Sequence, residues 1–128
     1  MKFYILIMSL LSLFTFGCSA APKFKSVGVD EFARVAQDST TIVVDVRRAD
    51  EWAAGHFPQA QYNIDVTQEG FSEKAKATLP KDKTIAIYCR SGRRSKDAAN
   101  RLAECGFEVV ELDGGIISWQ ERSMPIVK

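Results

Sequence analysis

One stretch decides the fold: Thr84-Ile85-Ala86-Ile87-Tyr88-Cys89-Arg90-Ser91-Gly92-Arg93-Arg94-Ser95. Its first five residues are short, mostly apolar and partly β-branched, which predicts a buried strand. After the stretch, Ala98, Leu102 and Cys105 recur at helical spacing. Gly106 follows where a helix C-cap belongs. The sequence therefore predicts a strand, a turn that begins with a cysteine, and a helix.

The turn from Cys89 to Ser95 has the features of an anion-binding site. Backbone N–H groups at a strand-to-helix turn lack partners within the helix and point into the turn. The helix N-terminus and the nearby arginines both favour a thiolate over a thiol. We therefore expect Cys89 to lose its proton readily and to act as a nucleophile.

The rest of the chain alternates between strand and helix patterns. Thr41–Val46 is apolar on both faces, as a strand in a helix-covered parallel sheet should be. Other strands are predicted at 60–64 and 107–112, with a tether or edge strand at 22–29, and other helices after a cap at Asp30, at 50–54, at 71–79 and after Gly115. This alternation predicts an α/β fold with a parallel sheet. Because sites in such sheets gather at the carboxyl ends of strands, Asp45-Val46-Arg47 and Cys89 should lie at the same edge.

The N-terminal residues predict export. A short positive start precedes an apolar run over 3–16, which is too short to span a membrane comfortably and indicates a signal peptide. Gly17-Cys18 resembles a bacterial lipobox, in which Cys18 would be lipidated; the rival is ordinary cleavage after Ala20 or Ala21. We favour the lipoprotein, anchored to a membrane in the periplasm. The predicted organisation is a signal peptide at 1–17 (or to 20 or 21), a tether at 18–25 and one domain at 26–128.

Composition and cysteine spacing exclude several classes of function. The 128 residues carry 17 basic and 16 acidic side chains, so no global charge points to a nucleic acid partner. No Cys/His spacing indicates a metal site, and we expect no cofactor. Cys89 and Cys105 flank a predicted helix roughly 16 Å long, whereas a disulfide requires Cα atoms within about 7 Å. We therefore expect a free thiol at Cys89 and a core residue at Cys105.

Three groups of motifs together resemble the rhodanese family. They are Asp45-Val46-Arg47 with Glu51-Trp52, Gly55-His56-Phe57 and Asn63-Ile64; the loop Cys89–Ser95; and Asp113-Gly114-Gly115-Ile116 followed by Trp119. The resemblance covers about residues 24–127, with Gln59 departing from a common glycine. It implies a central parallel five-stranded sheet with helices on both faces. The chain is similar to the single-domain exported sulfurtransferases of bacteria.

The resemblance implies sulfur transfer through Cys89. This thiolate would attack the outer sulfur of thiosulfate or a similar donor, form a persulfide, and pass the sulfur to cyanide or a thiol. Loop N–H groups from Arg90 to Arg94 would hold the persulfide, and Gly92 supplies backbone freedom. Arg90 and Arg93 are the candidates for meeting a dianionic donor.

The remaining predicted site residues support the loop. Arg94 is expected to turn back and pair with Asp45 or Glu51. The predicted loop set is Arg90, Ser91, Gly92, Arg93, Arg94 and Ser95, and the supporting set is Asp45, Arg47 and Glu51. His56 is expected to be a hydrogen-bonded structural histidine, and Trp52 and Trp119 are expected to be core residues.

Two other functions remain open at the level of sequence. A persulfide carrier or redox-sensing module could hold sulfur on Cys89 without turnover. A cysteine phosphatase is the more remote alternative, because related phosphatases place five residues between their cysteine and arginine, whereas four separate Cys89 from Arg94. The shorter loop suits a single sulfur atom.

Overall fold

The computed structural model describes residues 24–128, so Cys18 and the predicted signal peptide lie outside the described residues. Strands and helices alternate from residue 24 onward. In chain order they are β1 (Phe24–Val27), α1 (Val29–Gln37), β2 (Thr41–Asp45), α2 (Ala49–Ala54), β3 (Ala60–Asn63), α3 (Phe71–Thr78), β4 (Thr84–Tyr88), α4 (Arg93–Glu104), β5 (Glu108–Leu112) and α5 (Gly115–Glu121). None of these helices has the length and apolar character needed to cross a membrane.

The five strands form one parallel sheet in the order β1-β5-β4-β2-β3. Strand β4, which leads into Cys89, lies at the centre. All five residues of β2 and four of the five in β4 are buried, because helices cover both faces of the sheet. The predicted α/β fold with a central five-stranded parallel sheet is confirmed.

Two apolar cores lie on opposite faces of the sheet, and β4 contributes to both. Ile85 and Ile87 belong to the core that contains side chains of α3 and α4. Ala86 and Tyr88 belong to the core that contains side chains of α1 and α5, including the fully buried Trp119. The two cores hold β4 in place from both sides, and so they fix where the strand ends and the cysteine turn begins.

Two element starts differ from the prediction by more than one residue. Strand β1 begins at Phe24, which agrees with the edge-strand alternative but lies within the predicted tether at 18–25, because Phe24 pairs with Val109 of β5 and packs against the core. Helix α1 begins at Val29 with Gly28 as its N-cap, so the predicted cap at Asp30 is wrong. Asp30 instead lies in the first turn, where a carboxylate interacts favourably with the helix dipole.

The cysteines of the described residues are both free. Cys89 and Cys105 lie on either side of α4, which has 12 residues, so the prediction that they form no disulfide is confirmed. Cys105 is partly buried and packs against the core on the α4 face, as expected of a small apolar residue.

Candidate active site

Cys89 is the first residue after β4, and its side chain lies inside the turn. The residue is 1% exposed. Its Sγ accepts hydrogen bonds from the backbone N–H groups of Gly92, at 3.1 Å, and Ser95, at 3.2 Å. The turn curls back over the sulfur because Gly92, the N-cap of α4, has a φ of +107° that other residues rarely adopt.

Further N–H groups of the turn, among them those of Ser91, Arg93 and Arg94, have no hydrogen-bond partner within residues 24–128. In a longer helix the last two would donate to the carbonyls of Cys89 and Arg90, but other donors already occupy those oxygens. The turn therefore keeps free donors at a helix N-terminus, which is a site for negative charge.

The occupying donors come from the start of α5. Ile116 N–H donates to Cys89 O at 2.9 Å, and Ile117 N–H donates to Arg90 O at 3.1 Å. Gly115 allows this approach: its φ is +62°, and a Cβ there would meet Cys89 O at 2.6 Å and collide with the carbonyl of Arg90. The start of α5 thus supports the cysteine turn by hydrogen bonds to its carbonyls. The sequence analysis did not assign this role to the Gly114-Gly115 motif.

Arg94 turns back to hold the loop, as predicted, and its partner is Glu51. The guanidinium donates to both carboxylate oxygens, at 2.7 and 2.9 Å, and joins α4 to α2. The hydrogen bonds from Arg94 outweigh burial and lower the pKa of Glu51 to about 2. The carboxylate is therefore ionised at neutral pH, and the pair fixes the outer end of the turn.

Asp45 does not pair with Arg94, so that alternative is wrong. It is fully buried and accepts hydrogen bonds from the Arg47 side chain, with an Nη2–Oδ2 distance of 2.6 Å. Arg47 also donates to Gly55 O at 2.7 Å, and Asn63 donates to the carbonyls of both Asp45 and Arg47. These residues tie β2, α2 and β3 together beside the turn rather than contacting the sulfur.

Arg90 and Arg93, the predicted donor-binding residues, are both exposed but differ in position. Arg90 lines a cleft of about 290 Å³, whose apolar wall includes Ile116 and Ile117 of α5. Arg93 is not among the residues that line this cleft. Neither arginine forms a salt bridge within the described chain, so both charges are available to a ligand.

Ser95 connects the sulfur to a buried carboxylate that the sequence analysis missed. The Sγ of Cys89 lies 3.4 Å from Ser95 Oγ, and Ser95 Oγ lies 2.6 Å from Glu111 Oε2. Glu111 is 0% exposed and belongs to β5. The available signal was a charged residue inside a strand of a sheet that was predicted to be covered on both faces. Buried charges require partners.

His56 and the two tryptophans lie away from the sulfur. The His56 Nδ1 is 3.0 Å from the carbonyl oxygen of Trp52, and the two rings stack at 3.5 Å. Trp52 is only partly buried, which differs from its predicted core position. Trp119 is fully buried and stacks on Phe57. These contacts agree with a structural role for His56.

Comparison with known families and proteins agrees with this geometry. The family model "Rhodanese-like domain" matches residues 28–122. The chain belongs to the rhodanese-like family. Its relatives include "Sulfurtransferase" of Allochromatium vinosum, 38% identical over 96 residues that cover 73% of this chain and 85% of that protein. "Putative sulfurtransferase YtwF" of Bacillus subtilis is 35% identical over 92 residues, covering 72% and 85%.

Solved structures show the same fold. A rhodanese-related protein from Thermoplasma volcanium superposes with a TM-score of 0.70 at 30% identity, covering 81% of this chain and 98% of that one. The BH2092 protein from Bacillus halodurans gives a TM-score of 0.70 at 28% identity, covering 82% and 77%. These structures support the rhodanese-like fold, whereas the relatives named as sulfurtransferases support that activity class for this chain.

Proposed function

We propose that this rhodanese-like domain transfers sulfane sulfur from thiosulfate or a similar anionic donor to cyanide or a thiol through a persulfide on Cys89. The observation that carries the proposal is the sulfur of Cys89 lying at a turn whose amides at Ser91, Arg93 and Arg94 have no hydrogen-bond partner among residues 24–128. Such donors stabilise an anion without moving, because the fold has already oriented them.

In the first half-reaction, the Cys89 thiolate bonds to the outer sulfur of the donor. The sulfur–sulfur bond of thiosulfate breaks, and sulfite leaves with that electron pair. The product is a persulfide anion on Cys89, which the free amides of the turn would stabilise. Arg90, which lines the adjoining cleft, would attract the dianionic donor.

In the second half-reaction, cyanide or a thiolate bonds to the outer sulfur of the persulfide. The electron pair of the Cys89–sulfur bond returns to Sγ, so thiocyanate or a new persulfide leaves and the thiolate is restored. The cycle consumes no oxidant or reductant. It needs one nucleophilic sulfur and a cradle for anions, and the described turn offers both.

The test is turnover by the purified mature domain. We expect thiosulfate and cyanide to yield thiocyanate, and Cys89→Ser to abolish the product, whereas Cys105→Ser, at the far end of α4, should retain it. Sulfur added at Cys89 without turnover would favour the carrier alternative. Hydrolysis of an aryl phosphate with no sulfur loading would overturn the proposal.

We also propose that the domain works outside the cytoplasm, anchored through a lipidated Cys18. The support is the sequence pattern of residues 1–18. In cells fed a fatty-acid probe, the wild-type protein should carry the label and Cys18→Ala should lose it. An unlabelled wild type whose mature chain begins at residue 21 or 22 would point to ordinary signal-peptide cleavage.

A further inference from the structure

A chain of three side chains leads from the reactive sulfur into the sheet. Cys89 Sγ donates toward Ser95 Oγ at 3.4 Å, and Ser95 Oγ donates to Glu111 Oε2 at 2.6 Å. Ser95 has one hydroxyl proton. The short bond to a carboxylate takes that proton in preference to the carbonyl of Gly92 at 3.2 Å, because charge-assisted bonds are the stronger ones. The lone pairs of Ser95 Oγ are then free to accept the proton of Cys89.

Glu111 is held so that it can serve as the end of this chain. Its side chain is 0% exposed, and its other oxygen accepts a hydrogen bond from Ser26 of β1 at 2.6 Å. The nearest charge is Lys96 of α4, whose Nζ lies 3.4 Å from the carboxylate and 2.8 Å from Asp113. Burial lowers the pKa of Lys96, but the hydrogen bond to Asp113 and the charge of Glu111 raise it overall, so the ammonium stays charged.

The position of Glu111 raises a physical problem that a shared proton resolves. A buried carboxylate two hydrogen bonds from Cys89 repels a thiolate, which opposes the effect of the helix N-terminus and of Arg94. If the proton lost by Cys89 passes to Glu111, the two negative charges never coexist. The single proton then belongs to the hydrogen-bonded set and not to either group alone.

We propose that Cys89, Ser95 and Glu111 share one proton, and that Glu111 is the positioning residue that holds it while Cys89 is a thiolate. The Sγ–H bond breaks with its electron pair left on sulfur, the proton passes to Ser95 Oγ, and the proton of Ser95 passes to Glu111 Oε2. When the acceptor releases Cys89 from its persulfide, the same transfers run backward. This inference rests on the proposed role of Cys89 as the attacking thiolate.

The test is the pH dependence of Cys89 alkylation by iodoacetamide in a Cys105→Ser background, which needs no sulfur donor. With a shared proton, a constant fraction of molecules holds the thiolate and protonated Glu111. The wild-type rate should therefore level off between about pH 7 and pH 5. In Glu111→Gln the carboxamide cannot take the proton, so the rate should keep falling about tenfold per pH unit. The two profiles should converge where hydroxide removes the proton directly.

Three further variants keep the test decisive. Ser95→Ala keeps the backbone N–H bond to sulfur but removes the hydroxyl that links Cys89 to Glu111. It should therefore lose the plateau, as Glu111→Gln does. Because the two groups act in series, the double variant should be no slower than either single one. Glu108→Gln, an exposed carboxylate on the same strand, should keep the wild-type profile.

The outcomes separate this inference from the proposed function. Identical profiles for wild type and a folded Glu111→Gln would show that Glu111 holds no proton for Cys89. A Glu111→Gln rate above wild type at every pH would show that the carboxylate only repels the thiolate. Both results overturn the shared proton. A retained plateau in a wild-type protein that makes no thiocyanate would leave the shared proton in place and remove the proposed sulfur transfer.

Discussion

Arg90 and Arg93 belong to the same turn, yet only Arg90 lines the cleft that α5 borders. A dianionic donor entering there would interact with Arg90 at short range, and losing an interaction of about 1.4 kcal/mol costs a factor of ten. We therefore predict that Arg90→Ala raises KM for thiosulfate about tenfold, with a smaller change in kcat. Arg93→Ala is the matched control and should change KM about twofold or less. Steady-state kinetics decide this, and equal effects of the two substitutions would contradict the assignment of Arg90.

At the scale of single residues, the sequence predicted which residue types lie at the site but not which side chains pair with one another. The turn from Cys89 to Ser95 was predictable because its strand, glycine and helix follow one another in the chain. The partner of Arg94 was not, because Asp45 ends β2, Glu51 follows shortly after it, and only the folded chain shows that Asp45 pairs with Arg47. Glu111 was missed because its partners Ser26 and Ser95 are 85 and 16 residues away.

The start of α5 supports the turn through Gly115, where a Cβ would collide with the carbonyls of Cys89 and Arg90. We predict that Gly115→Ala destabilises the fold by about 3 kcal/mol, because strain at positive φ of about 1–2 kcal/mol adds to the steric clash. Gly70→Ala is the control, since Gly70 has a φ of +80° with no atom within 4 Å of the added Cβ. It should cost only the strain, about 1 kcal/mol. Denaturant unfolding measures both, and equal losses would mean that no clash occurs at Gly115.

Element order was predictable because hydrophobic periodicity changes clearly between strands and helices along this chain. The start of β1 was harder, since Phe24-Lys25-Ser26-Val27 becomes a strand only by pairing with β5, a contact across more than eighty residues. The role of α5 was also outside the reach of local patterns. Its glycines indicate a turn in any context, and their contact with the cysteine turn depends on the order of strands in the sheet.

For the whole molecule, the placement of the site follows from sheet topology. Strand β4 lies between β2 and β5, so the segments that follow or end these three strands surround the sulfur. That arrangement follows from the alternating pattern and the tendency of sites to lie at the carboxyl ends of parallel strands. The sequence therefore predicted where chemistry occurs. It could not predict how the charges around the sulfur balance, because that balance depends on distances between neighbouring strands.

The same arrangement makes the stability of the molecule depend on pH through the ion pair between Glu51 and Arg94. Arg94 lowers the pKa of Glu51 to about 2 from its ordinary 4.5, so the stabilisation is complete above pH 4.5 and is lost as the pH falls through about 2. The full shift corresponds to about 3 kcal/mol, and partial exposure of both side chains reduces this to about 1–2 kcal/mol. We predict that Glu51→Gln lowers the free energy of unfolding by that amount at neutral pH and that the difference from wild type disappears toward pH 2.

Asp50→Asn, on the same helix but in an exposed pair with Arg48, should follow the wild-type curve. Urea unfolding at a series of pH values measures the difference, and a difference that stays constant down to pH 2 would show that Glu51 stabilises the fold by packing rather than by charge.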